Sequence, residues 1–215
     1  IERVESGGGF LWDSGVYDAN IKMVYLDQSV NNAISFNIEL VNSDGKKLEE
    51  TFWVRSGNAK GNKTWYTTKS GKKQPIPGYL FADNLCRAVL NTTFEEVRQT
   101  AENKVVTVYN KEQGKRVPTE KPVITSLINK PIKVAVHQVI EDRTAKTANG
   151  EYAPTGLTRT INNCKFFGNT EGKTAEEIQK GESATKFDKW AQKNTGTVID
   201  TSTTSKDSNS AANIM

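Results

Sequence analysis

The chain has 215 residues, of which 35% are hydrophobic and 25% charged, and carries a formal net charge of +4. This is enough length and apolar content for one large or two small soluble domains with a real core and loop-rich or extended parts. No run of 18 apolar residues occurs and no signal-peptide pattern opens the chain, so a membrane role is not expected.

The first fifteen residues contain Gly7-Gly8-Gly9 followed by Phe10, Leu11 and Trp12. The spacing fits neither a dinucleotide nor a nucleotide fingerprint, so the glycines read as backbone freedom and Phe10 and Trp12 as docking on the core, with reaching toward a ligand as the alternative. From Val16 the chain reads as extended. Tyr17, Ala19, Ile21, Met23 and Tyr25 alternate with polar residues, as do Ile34, Phe36, Ile38 and Leu40. Asn42-Ser43-Asp44-Gly45 is a turn signal, and a third strand follows from Leu48 to Arg55. It sets Leu48, Phe52 and Val54 on one face and Trp53 and Arg55 on the other. The three runs predict an antiparallel meander.

The third strand opens the most informative stretch. From Thr51 to Ala82, 32 residues contain no Asp or Glu, although Glu50 and Asp83 stand immediately outside. Within it lie six cations (Arg55, Lys60, Lys63, Lys69, Lys72, Lys73) and six aromatics (Phe52, Trp53, Trp65, Tyr66, Tyr79, Phe81). Cations neutralise phosphates and release counterions, and flat rings offer stacking surface to unpaired bases. The competing reading is a long basic hairpin whose rings are half core and half surface. Glycines at 57, 61 and 71 suit a second hairpin or flap, which Pro75 and Pro77 end.

Tyr79 to Leu90 then reads as a helix, with Leu80, Leu85, Ala88 and Val89 as its apolar residues. Thr93 caps a short second helix through Gln99, with Glu95 and Glu96 in its first turn. Lys104–Tyr109 is β-branched and reads as a strand. Asn110 to Lys121 is a polar connection bracketed by Pro118 and Pro122, and Val123–Leu127 forms a helical turn. From Pro131 to Ile140 both faces are apolar, which predicts a strand in the middle of a sheet. Glu141 to Thr155 is a polar hairpin with Asn149-Gly150 at its tip, and Leu157 to Phe167 returns as a strand. After Gly168 come helical turns at Thr174–Gly181 and an amphipathic segment, Ala184–Lys193, with Phe187 and Trp190 on one face. Residues 201–215 are Ser, Thr, Asn and Ala rich and are expected to be disordered.

A meander, a helix and two further strands predict an all-β-dominated chain, a five-stranded OB-fold barrel with its helix between strands three and four, long hairpin loops and a short C-terminal helical segment. The expected divisions are 1–168 for the binding domain, 169–200 for the helical segment and 201–215 for the tail. In this fold strands two and three and the adjacent loops carry the oligonucleotide. The stacking candidates are therefore Trp53, Trp65 and Tyr66. The phosphate candidates are Arg55, Lys60, Lys63, Lys72 and Lys73, with Lys22, Arg143 and Arg159 as outlying cations.

Catalytic and metal signatures are scarce. His137, the sole histidine, falls mid-strand, where a satisfied core position fits better than a triad. No HExxH, CxxC or EF-hand spacing occurs, so neither a metal site nor a cofactor is expected. Asp18, Asp83 and Glu141 are the acids that a Mg-dependent nuclease would have to bring together, but their spacing does not demand it. Cys86 and Cys164 read as reduced, buried thiols, with a disulfide as the alternative.

The sequences SGVYDANIKMVYLDQSVNNAISFNIEL, IPGYLFADNLCRAVL, VYNKEQGKRVPTEKPVITSLINKPI, NGEYAPTGLTRTINNCKFF and KFDKWAQKNTG together resemble single-stranded-DNA-binding proteins of tailed bacteriophages. The similarity runs from about Ser14 to Gly196. It implies an OB-fold that coats unwound DNA during phage replication and recombination in the cytoplasm of the infected bacterial host. The implied partners are single-stranded DNA, phage replication and recombination proteins and, for some members, host RNA polymerase. A partner-directed transcription regulator acting on that polymerase is the alternative function. Many proteins of this function end in an acidic tail, whereas residues 201–215 hold one Asp and one Lys. Recruitment would then fall to another contact, such as Phe187 and Trp190, whose other reading is packing on the protein's own surface.

Overall fold

A computed structural model describes residues 11–110 and 113–203. Of these, 48% are strand and 21% helix, so the chain is β-dominated as its alternation predicts. β1 (Gly15–Gln28), β2 (Ile34–Asn42) and β3 (Lys47–Arg55) form the expected meander. Phe36, Ile38 and Leu40 are buried on β2, and Leu48, Phe52 and Val54 on β3. Asn42 makes the intervening turn, its Oδ1 accepting the N–H groups of Asp44 and Lys46 at 3.1 and 2.9 Å. β1 departs from strict alternation. Its register shifts between Ile21 and Met23, leaving Lys22 as the extra residue of a bulge. Beyond it the buried residue is Val24, while Met23 and Tyr25, expected inside, are only half-buried.

After β3 come a 3-10 turn (Asn58–Lys60) and a separate two-stranded hairpin of β4 (Trp65–Thr67) and β5 (Lys73–Pro75). α1 (Pro77–Leu90) starts with proline in its first turn and ends on Asn91 in the left-handed conformation. It buries Ala82, Leu85, Cys86 and Ala88, while Leu80 lies off this face and is exposed. α2 (Phe94–Gln99) has a full capping box, Thr93 and Glu96 each satisfying the other's backbone N–H.

β6 (Glu102–Asn110) pairs antiparallel with β7 (Lys115–Val123). β7 runs through the segment expected to be a polar connection. Period-two patterning is invisible where neither face is deeply buried, and its prolines argued against a strand. They are tolerated because β7 meets β1 only at Tyr25 and Val123, leaving most of its outer edge unpaired. β8 (Pro131–Lys146) and β9 (Tyr152–Gly168) extend well into the expected loop on each side, so only Thr147–Glu151 turns, with Gly150 at φ +82°.

The strand order is β3-β2-β1-β8-β9, with β8 central as its two apolar faces predict. β6 and β7 hang from β1, and β10 (Val198–Asp200), which the sequence did not suggest, pairs parallel to β8. The result is an eight-stranded, largely antiparallel sheet, not a closed five-stranded barrel. Among the described residues no ladder joins β3 to β9. The two edges are held together by the Glu50 carboxylate, which accepts the Cys164 N–H at 3.0 Å. Phe81 of α1 also bridges them, stacking on Phe52 of β3 (4.8 Å between centroids) and meeting Phe167 of β9 edge-on.

The chain beyond Gly168 packs back on this sheet. α3 (Ala175–Lys180) and α4 (Lys186–Asn194) are joined through Glu177. Burial alone raises that carboxyl, but N–H donors from Thr174, Thr185 and Lys186, with the Thr174 hydroxyl, outweigh it and bring its pKa down to about 2. Thr201 and Thr203, at the start of the expected disordered tail, bond to Ile140 O and the Asp142 carboxylate. The rest of that tail, and Phe10, lie outside the described residues. Trp12 docks as expected: it is buried, and its backbone exchanges two hydrogen bonds with the Asn162 amide.

Candidate nucleic-acid interface

β3 is an edge strand, and its pleat decides which side chains face out. With Phe52 and Val54 in the core, Thr51 and Trp53 point away from it, and the Trp53 side chain is 53% exposed. α1 enters directly behind it. A Cβ on Gly78 would lie 2.2 Å from Trp53 O, so only glycine lets the helix start this close to the strand. Between them the chain folds against the β1–β2 loop, Asn58 N–H donating to Asn31 O at 2.8 Å, and closes on itself through Ser56 N–H to Lys63 O at 2.8 Å. The β4–β5 hairpin then rises with Trp65 opposite Pro75 and Tyr66 opposite Gln74. Its base is tied by Ile76 N–H to Thr64 O at 2.9 Å.

These segments wall an open cleft of about 1490 Å³. Trp53, Arg55, Lys60, Lys63, Trp65 and Tyr66, all singled out from the sequence, line it, with Phe52 and Phe81 among its apolar residues. Trp65 is half-exposed, and the Nζ atoms of Lys63 and Lys73 lie 4.7 and 4.4 Å from its ring centroid. Cation–π attraction thus holds two charges beside a stacking surface. Tyr66 is 43% exposed and its hydroxyl donates to Gln74 Oε1 at 3.2 Å. Arg55 is half-buried. Its Nη2 donates to Asn32 O at 2.9 Å, and its buried Nε has no hydrogen-bond partner. Lys69, Lys72 and Lys73 are exposed on the hairpin, and none of the six cations of the stretch forms an ion pair among the described residues. Cations facing solvent without counter-charges are what a polyanion would pair with.

The outlying cations are not brought to this cleft. Lys22 is exposed on the β1 bulge, and Arg143 is exposed beside an irregularity in the β8–β9 ladder. Arg159 is engaged by Glu141 through two hydrogen bonds of 2.8 and 2.6 Å, which leaves its charge largely compensated. Phe187 and Trp190, read either as a partner contact or as packing on the protein's own surface, lie against the chain itself. Phe187 is 4% exposed, 4.7 Å from the Phe166 ring and tight against Gly168, while Trp190 is half-buried between His137 and Phe166. The apolar face of α4 is covered by the protein's own strands.

Sequence reasoning passed over Glu50, Asn163 and Cys164, which also line the cleft. Glu50 shares the inward face of β3 with Leu48 and Phe52. An acid at a core position of an alternating strand was the available signal. Burial raises its pKa, opposed by the Cys164 hydrogen bonds and the Lys165 charge. Burial and the adjacent Glu50 in turn push the Cys164 thiol well above its ordinary value. Both cysteines are free and buried, and burial raises Cys86 to about 12.

Each of the three acids considered for a nuclease has its own cation partner. Asp18 pairs with Lys133 at 2.7 Å, Asp83 with Arg87 at 2.7 Å, and Glu141 with Arg159. Among the described residues no group of three or more His, Cys, Asp or Glu side chains is arranged to hold a metal ion. His137 is buried but only half satisfied, its Nε2 lying 3.1 Å from Thr197 Oγ1 while Nδ1 has no partner. No helix among the described residues is long and apolar enough to cross a membrane. No protein-family model matches the chain, and no curated protein matches it.

Proposed function

We propose that the protein binds single-stranded DNA with little regard to sequence, coating and protecting unwound strands. Stacking on Trp53, Trp65 and Tyr66 and phosphate neutralisation by Arg55, Lys60, Lys63, Lys72 and Lys73 supply the affinity. The observation that carries this reading is the cleft itself: Trp53, Trp65 and Tyr66 meet Arg55, Lys60 and Lys63, none of them ion-paired among the described residues, in one open groove, with Lys72 and Lys73 on the hairpin beside it. An open cleft with rings on its walls suits a flexible strand whose bases can splay. A duplex reader instead presents a helix or ribbon shaped to a groove. The order β3-β2-β1-β8-β9, with α1 spanning the unpaired β3 and β9 edges, supports an OB-type core to which β6, β7 and β10 are additions. The resemblance to phage single-stranded-DNA-binding proteins agrees and points to replication and recombination in the infected host's cytoplasm. Phe187 and Trp190, the contact that the regulator alternative would use, lie against the chain's own rings, and Asp18, Asp83 and Glu141, the acids of the nuclease alternative, each pair with a separate cation.

A competition between an oligo-dT and a duplex of equal length for the protein, read by fluorescence anisotropy, tests the proposal. Oligo-dT should win by a wide margin, and the margin should persist when the single-stranded competitor is of mixed sequence. A duplex that competes better, or binding to neither, overturns it.

A further inference from the structure

The cleft is cationic and aromatic along most of its length but not at its β3–β9 end. There Glu50 and Asn163 line it together. An acid in a groove meant for a polyanion costs affinity unless it does something that a neutral residue would not. Part of its work is structural, since Oε2 accepts the Cys164 N–H at 3.0 Å and ties β3 to β9. The Cys164 thiol adds a side-chain hydrogen bond to the same carboxylate, whose two oxygens keep further lone pairs for what enters the cleft. Residue 50, on the inward face of β3, is half-buried and lines the cleft, and Asn163, also half-buried, makes no side-chain hydrogen bond among the described residues.

Resting on the single-strand reading of the cleft, we infer that Glu50, with Asn163, reads the edge of one base and favours bases carrying an exocyclic amine over thymine. An ionised carboxylate only accepts hydrogen bonds. The amines of cytosine and adenine, and the adjacent N1–H and N2 amine of guanine, donate to it directly. Thymine offers one donor, N3–H, flanked by the carbonyl oxygens O2 and O4, which repel the carboxylate. The Asn163 amide, with both donor and acceptor, can serve the ring nitrogen or carbonyl beside the amine. The rest of the cleft offers rings and charges, which every base and every phosphate satisfy alike. Discrimination therefore resides at this end, and it is modest because it concerns one base among several bound.

The test compares oligo-dC and oligo-dT of equal length in mildly alkaline buffer, chosen because burial raises the Glu50 pKa and only the ionised carboxylate is purely an acceptor. It uses the full chain and the variants Glu50→Gln and Asn163→Ala. Gln keeps an acceptor for the Cys164 N–H, so the seam survives, but its amide donates as well as accepts and so suits every base. The wild type should prefer oligo-dC about fivefold, the value of roughly one good base contact. Glu50→Gln should bring the ratio towards one, mainly by improving oligo-dT binding. Asn163→Ala, which leaves the seam untouched, should weaken oligo-dC more than oligo-dT. A wild-type ratio near one, or an unchanged ratio in Glu50→Gln, overturns the inference while tight oligo-dT binding leaves the single-strand reading standing. Failure to bind either oligonucleotide defeats both.

Discussion

Replacing Trp65 by alanine separates a stacking residue from a core residue. Trp65 sits on the β4–β5 hairpin, which pairs with no strand of the main sheet, and its ring is half-exposed. Its ring contacts include the Lys63 and Lys73 ammonium groups, at 4.7 and 4.4 Å from its centroid. Each such exposed cation–π contact is worth ~0.5–1 kcal/mol, and both are local to the hairpin. The global melting temperature should therefore move little, because the cluster around Phe36, Leu40, Leu85 and Phe167 is untouched. Binding should suffer much more. Loss of one stacked base costs ~1–3 kcal/mol, which at 25 °C weakens the dissociation constant between about fivefold and more than a hundredfold. Release of the two lysines adds to this, since they then lose the ring that orients them. Trp65→Phe keeps a flat face and should recover most of the affinity. The assay is anisotropy titration of a labelled oligo-dT at fixed salt, with a thermal melt on the same samples. Binding within twofold of wild type at unchanged stability would refute the stacking role of Trp65. A large fall in melting temperature would instead make it a packing residue.

Three further outcomes follow from the same geometry. Reversing Lys60, Lys63 or Lys72 to glutamate should reduce the slope of log affinity against log salt by ~0.7 for each phosphate that the protein no longer neutralises. An unchanged slope in all three would remove these lysines from the phosphate path. Phe187→Ala empties a buried site against Phe166 and Gly168 and should destabilise the fold by ~3 kcal/mol in a denaturant melt, with short-oligonucleotide affinity unaltered. An unchanged midpoint would mean that α4 is not docked as described. Glu177, with its folded pKa lowered to about 2 from 4.5, contributes stability that is fully present above about pH 4.5 and fades as pH falls towards 2. Glu177→Gln should be less stable than wild type at pH 7, with the difference shrinking on acidification. A constant difference across that range would show that its charge is not what the Thr174, Thr185 and Lys186 donors hold.

Local chemistry was legible in the chain before any fold was known. Alternation located β1, β2, β3 and β8; Thr93 and Thr174 marked helix starts; Asn42–Gly45 and Asn149-Gly150 marked turns. The acid-free run from Thr51 to Ala82 held six stacking and phosphate candidates that line the cleft, because charge and aromatic content are properties of composition, independent of how the chain bends. Tertiary structure decided the rest. The bulge at Lys22 inverted the alternation beyond it, since one inserted residue moves every later side chain to the other face. β7 was hidden behind its prolines because an edge strand need not donate on its outer side. That Phe187 and Trp190 share one helix face was legible, but which strands lie against that face was not. The Glu50 seam to Cys164 joins residues 114 apart, and no local pattern encodes a contact that exists only once two sheet edges meet.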